Sequence, residues 1–402
     1  METLARHLRD APSEGTDASR TFFEGGHSLA PANVAVVTPG RFVTRRYWDF
    51  DAGHMIRFAS SEDYWSGLEI HLERAVRRRM RGTGAVTVAG GGSPLDAAIR
   101  ATAIGIGRAD VVVTTPSLCS VDGLAAVVAA SESPSAAASE VCRMNRVAGS
   151  DSVLWGPPAD AMFLDRAFLM DLAGGFAWRE LRAYLGPAFG EGREPGAHGR
   201  FAADFFSSRA PSFLVRERGR GVAPVWYSEG LLASAAASVA PSTTATRPRR
   251  RDFVSHHSRS LYGLIRSWRT VLEMESANKV GAELGVEVSF PFMDRDVLAF
   301  LLAIPGEERS RPGSPFAILG LGGADVSGPA PLGLDGLEDA LSGLAQGAAC
   351  SRFGVTNQAE LAVDLPSCLV RAKEGDRAAV RDLRVLLGTE MWLQSFFTED
   401  ST

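Results

Sequence analysis

Lysine is almost missing from this chain. Only Lys279 and Lys373 are present, so 40 of the 42 basic residues are arginine. Any chemistry that needs an amine side chain therefore has two candidates. Cysteine is also scarce: Cys119, Cys142, Cys350 and Cys368 lie far apart, with no CxxC or Cys/His spacing. That excludes the common zinc patterns and reads as reduced thiols. No run approaches the roughly 20 apolar residues of a membrane span. The first residues, METLARHLRD, have no apolar core, so no signal peptide is expected, and the expected location is cytoplasmic. A net charge of −5 gives no reason to expect nucleic acid as a partner. Internal repeats are absent.

What is present reads as alternating strands and helices. Residues 33–48 predict two strands joined by a Pro-Gly turn. Ser60 or Ser61 predicts a helix cap, with Glu62 and Asp63 in the first turn. Tyr64, Leu68, Leu72, Val76 and Met80 then recur at intervals of four and define an apolar face. Arg77-Arg78-Arg79 falls in the last turn and reads as a solvated cationic end. Strands follow at Ala85–Ala89, Asp110–Thr115 and Ser152–Trp155, with helices from about Leu95 and near 121–130. That alternation predicts a mostly parallel sheet covered on both faces. Beyond 160 the pattern turns helical, with loops about 186–200, 237–251 and 309–335, helices at about 255–284, and an amphipathic helix over 376–397.

Gly90-Gly91-Gly92 stands between a buried strand and a helix start. Such a turn lets backbone N–H groups reach an anion, and the helix dipole favours one. It serves equally as a plain structural turn. It is neither a dinucleotide fingerprint, because Leu95 fills the last glycine position, nor a Walker loop, because no Gly-Lys-Ser/Thr follows. His256-His257, near Tyr262, is a second conspicuous pair, but no acidic partner accompanies it in the sequence, and it reads as helix-start residues lining a cleft.

Several segments in order resemble the synthetase domain of the asparagine synthetase family. Phe23-Glu24-Gly25 through Tyr47-Trp48-Asp49 looks like the junction between amidotransferase and synthetase domains. Val88–Ser93, VAGGGS, is similar to the pyrophosphate loop L-S-G-G-x-D-S. Leu154–Phe163, LWGPPADAMF, resembles the second ATP-site motif, L-[ST]-G-[DE]-G-[GA]-D-x-[LM]-F. Glu287–Asp294, EVSFPFMD, resembles E-V-R-x-P-F-L-D, and Ala303-Ile304-Pro305 follows it. DAMFLDRAFLMDLA and the tail from SRFGVTNQAEL to GTEMWLQ look most like the lasso-peptide macrolactam synthetases, the cyclase branch.

The resemblance implies an α/β fold. Its parts are a parallel-sheet adenine-nucleotide α-hydrolase-like (PP-loop) domain over 56–397, a helical C-terminal part, and a β remnant of the amidotransferase domain over 1–55. It implies ATP and Mg²⁺ as cofactors, held by Gly90, Gly91, Gly92, Ser93, Gly156 and Asp160, with Asp160 also touching the metal. It implies Glu287 as a catalytic residue that helps a base. The family reaction adenylates a carboxylate, releases pyrophosphate and passes the acyl group to an amine. In the lasso branch the substrate is a precursor peptide whose N-terminus a separate leader-peptide protease frees.

The chain departs from each of these motifs. Ser93 replaces the Asp that would anchor Mg²⁺, and Pro94 replaces a phosphate-binding Ser. Asp96 lies three residues on, and its position predicts the helix rather than the turn. Pro157 and Pro158 remove two backbone donors, Ser289 replaces an Arg, and Ser314-Pro315-Phe316-Ala317 lacks the family's lysine. Losing one such electrostatic contact costs about 10²–10³-fold in rate. Against that family the amidotransferase domain reads as almost entirely missing, with no terminal Cys nucleophile, so glutaminase activity is not expected. The expected function is a catalytically impaired relative serving a peptide or natural-product pathway, bound to a precursor peptide, an intact cyclase or a leader-peptide protease. The alternatives are an active amide ligase with a rearranged site, and a cleft turned to ATP-independent chemistry.

Overall fold

A computed structural model describes residues 25–80, 86–89, 93–107, 111–114, 150–156, 159–163, 167–188, 224–237, 252–311, 347–374 and 376–397, with positions 21, 314–316, 319, 341, 343 and 344. It is a mixed α/β protein with one small parallel sheet. The predicted helix at 121–130 and most of the predicted loops 186–200, 237–251 and 309–335 lie outside the described residues.

Strands β1 (Asn33–Thr38) and β2 (Arg41–Arg46) pair antiparallel, as their Pro-Gly turn predicts. Gly40 sits at φ +75°, the left-handed conformation a turn with Pro at its preceding position requires. The chain beyond the hairpin is stitched to later helices. Asp49 accepts from the Tyr262 hydroxyl at 2.9 Å and from Arg266 Nη1 at 3.1 Å, and it also pairs with Arg46. Burial, with Asp49 close by, pushes the Tyr262 hydroxyl above its ordinary pKa. Ala52 O accepts from Val254 N at 3.1 Å, and Ile56 N donates to Ala303 O at 2.7 Å.

Helix α1 (Ser61–Arg79) begins at a reciprocal cap. Ser60 Oγ accepts from Asp63 N, and Asp63 Oδ2 accepts from Ser60 N. The predicted apolar face, Tyr64, Leu68, Leu72, Val76 and Met80, is buried. Each such leucine removed from water contributes about 1.5–3 kcal/mol. Arg77 and Arg78 are exposed, as a solvated helix end predicts, but Arg78 and Arg79 are also paired at long range. Arg79 Nη1 lies 2.8 Å from Asp294 Oδ2, and Arg78 Nη2 lies 2.9 Å from Asp296. Arg77 pairs within the helix, with Glu73. The carboxylates that hold the other two lie more than 200 residues away, so a local reading of charge does not find them.

The sheet holds β3 (Val86–Ala89), β4 (Val111–Thr114), β5 (Ser152–Leu154) and β6 (Glu287–Ser289), all parallel, in the order β4-β3-β5-β6. Helix α2 (Pro94–Gly105) follows β3. Val88 and Leu154 face a core shared with α1, α2 and the later helices α7 (His256–Ile265) and α9 (Arg295–Ala303). Val153 and Val288 face the opposite side, against α8 (Trp268–Leu284). The sheet is thus covered on both faces, as two-sided burial of its strands demands.

Between β5 and α7 run α3 (Asp160–Phe163), α4 (Phe168–Gly174), α5 (Trp178–Ala188) and α6 (Glu229–Ala237). Beyond β6, a short turn, Pro291–Met293, leads to Asp294, which caps α9 by accepting from Asp296 N at 3.0 Å. Then come α10 (Gly306–Ser310), α11 (Ala349–Arg352), α12 (Gln358–Lys373) and α13 (Arg377–Phe397). The last three build a separate core with Trp226, Tyr227 and Leu231. In it the buried Glu390 carboxylate accepts from Ala349 N at 2.7 Å and Cys350 N at 2.8 Å, satisfying donors at the start of α11. Cys350 and Cys368 are free buried thiols, and burial pushes Cys368 up to about 11. Among the described residues no helix is long and apolar enough to cross a membrane.

Candidate functional site

The strand order locates the one crevice the sheet topology favours for a ligand. From β3 the chain steps to one side to form β4, then returns past β3 to form β5. Open α/β sheets bind ligands above the carboxyl ends of the strands at such a reversal. Gly90–Gly92 directly follow β3, and Gly156 stands two residues beyond β5. Two segments separated by some 60 residues of sequence thus end on neighbouring strands. Gly90, Gly91, Gly92, Pro157 and Pro158 themselves lie outside the described residues.

Ser93 is buried, and its Oγ accepts from Leu95 N at 3.2 Å, so it caps α2. Asp96 occupies the first turn of α2, as its position predicts, and is 4% exposed. Its Oδ1 accepts from Gly156 N at 2.8 Å. A Cβ at position 156 would stand 2.8 Å from Leu95 Cβ and 3.0 Å from Asp96 Oδ1. Glycine is therefore what lets the end of β5 approach the helix start closely enough for this bond. Asp96 is the residue on which the two predicted motifs meet.

The other predicted site residues are distributed less compactly. Asp160 opens α3, and its side chain is outside the described residues. Glu287 is exposed and opens β6, level with Ser152 of β5. Ser289, two residues on, is the one level with Leu154, and its carbonyl accepts from Trp155 N at 2.9 Å. Glu287 therefore sits at the amino end of the sheet, about 7 Å along the strand from the end carrying the glycines. The structure does not bring it to Gly156. Further along, Ser314 and Phe316 are buried, and the Phe316 ring meets Trp65 edge-on at 5.5 Å.

The described residues do not fit ATP and Mg²⁺. The Ser93 oxygen caps a helix, and one oxygen of the Asp96 carboxylate is committed to the backbone N–H of Gly156. A fixed carboxylate there opposes a second anion. No protein-family model matches the chain, and no curated protein matches it. Its relationships therefore rest on motifs and geometry alone.

The structure adds a cluster that the sequence does not reveal. Asp171, on α4, accepts from His256 N at 2.6 Å and His257 N at 2.9 Å. The histidine pair thus has an acidic neighbour after all, reached through its backbone. His257 is 1% exposed, and its Nε2 lies 2.9 Å from Arg309 Nη1. A guanidinium only donates, so in this contact Nε2 is the acceptor. Arg309 also donates to the Met162 carbonyl and lies over the Phe163 ring, 5.3 Å from its centroid. His257 is thus a buried brace between α7, α10 and α3, and not a group lining an open cleft. Asp171 precedes His256 by 85 residues, and no local pattern joins them.

Proposed function

We propose that the chain is an asparagine synthetase-like protein of the lasso-peptide cyclase type whose nucleotide site no longer operates. In this reading it serves as a binding partner in a peptide or natural-product pathway. The observation that carries it is the bond from Gly156 N to Asp96. In the family this glycine belongs to the second ATP-site motif, and here its N–H is satisfied by a resident anion. The parallel strand order supports the finer assignment of a PP-loop domain, because the two ATP-site segments end on adjacent strands. The remaining departures agree with it. Ser93 is neutral where a metal-binding carboxylate is expected, and Ser314 and Phe316 lie buried in the segment that lacks the lysine. The partner is a precursor peptide, an intact cyclase or a leader-peptide protease.

The test is calorimetry with ATP and Mg²⁺, with and without a candidate precursor peptide, followed by ATP–pyrophosphate exchange. The expected result is neither binding nor exchange, with peptide or protein partner binding retained. Micromolar ATP binding accompanied by exchange would sink the proposal and leave the amide-ligase alternative.

A further inference from the structure

The hairpin β1–β2 contributes no residue to any of the hydrophobic cores. Yet it carries apolar pairs on both faces. Val36 opposes Val43, and Val37 opposes Phe42. Val37 is 72% exposed and Phe42 68%. Among the described residues the sheet has two strands only, and none of them pairs with either outer edge. A two-stranded ribbon of this kind is marginal alone and gains stability from a further strand.

The two edges differ in chemistry. Asn33–Thr38 of β1 carries no charge. In β2, Arg41, Val43 and Arg45 alternate along one face, and both arginines are exposed. Among the described residues neither forms an ion pair. The register also says which backbone groups look outward. Tyr47 N donates to Ala32 O, so pairs of the same parity, Val34 with Arg45 and Val36 with Val43, exchange the internal hydrogen bonds. The N–H and C=O of Phe42 and Thr44 therefore point away from β1.

We infer that the outer edge of β2 is a docking strand for an extended acidic peptide that adds as a third strand. Its backbone pairs with Phe42 and Thr44. On one face its side chains read carboxylate, apolar, carboxylate, opposite Arg41, Val43 and Arg45. Charge decides the occupant. A second copy paired antiparallel about Val43 would set Arg41 opposite the copy's Arg45, and like charges directly opposed are unfavourable. An anionic lipid surface would meet the arginines and the apolar pairs but would leave the outward amides without partners in hydrocarbon. This strand shares no residue with the cleft at Gly156, so the inference stands whether or not that cleft binds nucleotide.

The experiment titrates the full chain into two fluorescein-labelled peptides and follows anisotropy, and co-sediments it with phosphatidylserine vesicles. One contains Glu-Thr-Val-Thr-Glu, the other Lys-Thr-Val-Thr-Lys. The acidic peptide is expected to bind and the lysine peptide not. The double variant Arg41→Glu, Arg45→Glu should weaken the acidic peptide about tenfold, from two exposed ion pairs, and should bind the lysine peptide instead. Thr44→Pro deletes one outward N–H and no internal pair, so it should abolish binding while the far-ultraviolet circular dichroism stays unchanged. Three results overturn the inference: no binding of the acidic peptide, binding that survives the charge reversal, or binding only to phosphatidylserine vesicles.

Discussion

Removing the Asp96 carboxylate should loosen the junction between the two motif segments by a predictable amount. Its Oδ1 accepts from Gly156 N at 2.8 Å, and Asp96 is 4% exposed. Asp96→Ala therefore deletes a charge-assisted bond and leaves a buried N–H without its partner, a loss of about 1.5–3 kcal/mol. Losing an acidic residue from the first turn of α2 adds about 0.3–1 kcal/mol, and the better helix propensity of Ala offsets about half a kcal/mol. The net cost is about 2–3 kcal/mol. Asp96→Asn keeps the shape and an oxygen able to accept, so its cost should be nearer 1 kcal/mol. Because a chain of this length need not unfold in one step, the assay is local. Amide hydrogen exchange of the peptide spanning residues 150–156 should speed up at least about thirtyfold in Asp96→Ala. Exchange unchanged within about twofold in the Ala variant would refute the reasoning. So would Ala and Asn variants that behave alike.

Other positions give sharper tests of single effects. Asp294 both caps α9 and holds Arg79 at 2.8 Å, so Asp294→Ala should cost about 2–3 kcal/mol in urea unfolding, and Asp294→Asn, which keeps the cap, about 1 kcal/mol. Phe176 sits at φ +58° at the end of α4, where Ala177 N donates to Leu172 O, a position glycine fills at less cost. The ring is 76% exposed, so Phe176→Gly forfeits little packing and should raise stability by about 0.5–1 kcal/mol. Burial and Arg74 hold His71 below its ordinary value of 6.5, so the unfolded chain binds the proton more readily. That contribution to stability is complete above pH 6.5 and falls as pH drops toward the folded-state value; in His71→Gln this part of the acid dependence should vanish from a pH series of melting curves.

Local rules made much of the architecture legible in advance. Ser60, Asp63 and the four-residue recurrence from Tyr64 to Met80 specify α1, because caps and helix faces depend on neighbours within one turn. The apolar run before Gly90 and the run at Ser152 specify β3 and β5, and the Pro39-Gly40 pair specifies the hairpin. Even the position of Asp96 on a helix start follows from Ser93 and Pro94 before it.

What the sequence by itself determined was therefore the elements, their ends, and the placing of glycine turns after buried strands. The tertiary structure alone decided what those ends meet. It set β5 beside β3, and so turned Asp96 toward Gly156; it sent Arg78 and Arg79 to Asp294 and Asp296; it joined His257 to Arg309; and it left Glu287 at the far end of β6. The physical reason is range. Capping and periodicity act over a few residues and can be read along the chain, whereas these contacts depend on strand order and on helices docking to a shared core. A carboxylate that reads in sequence only as part of a helix start thus becomes, once the sheet is assembled, the group that fills the backbone donor of its neighbour.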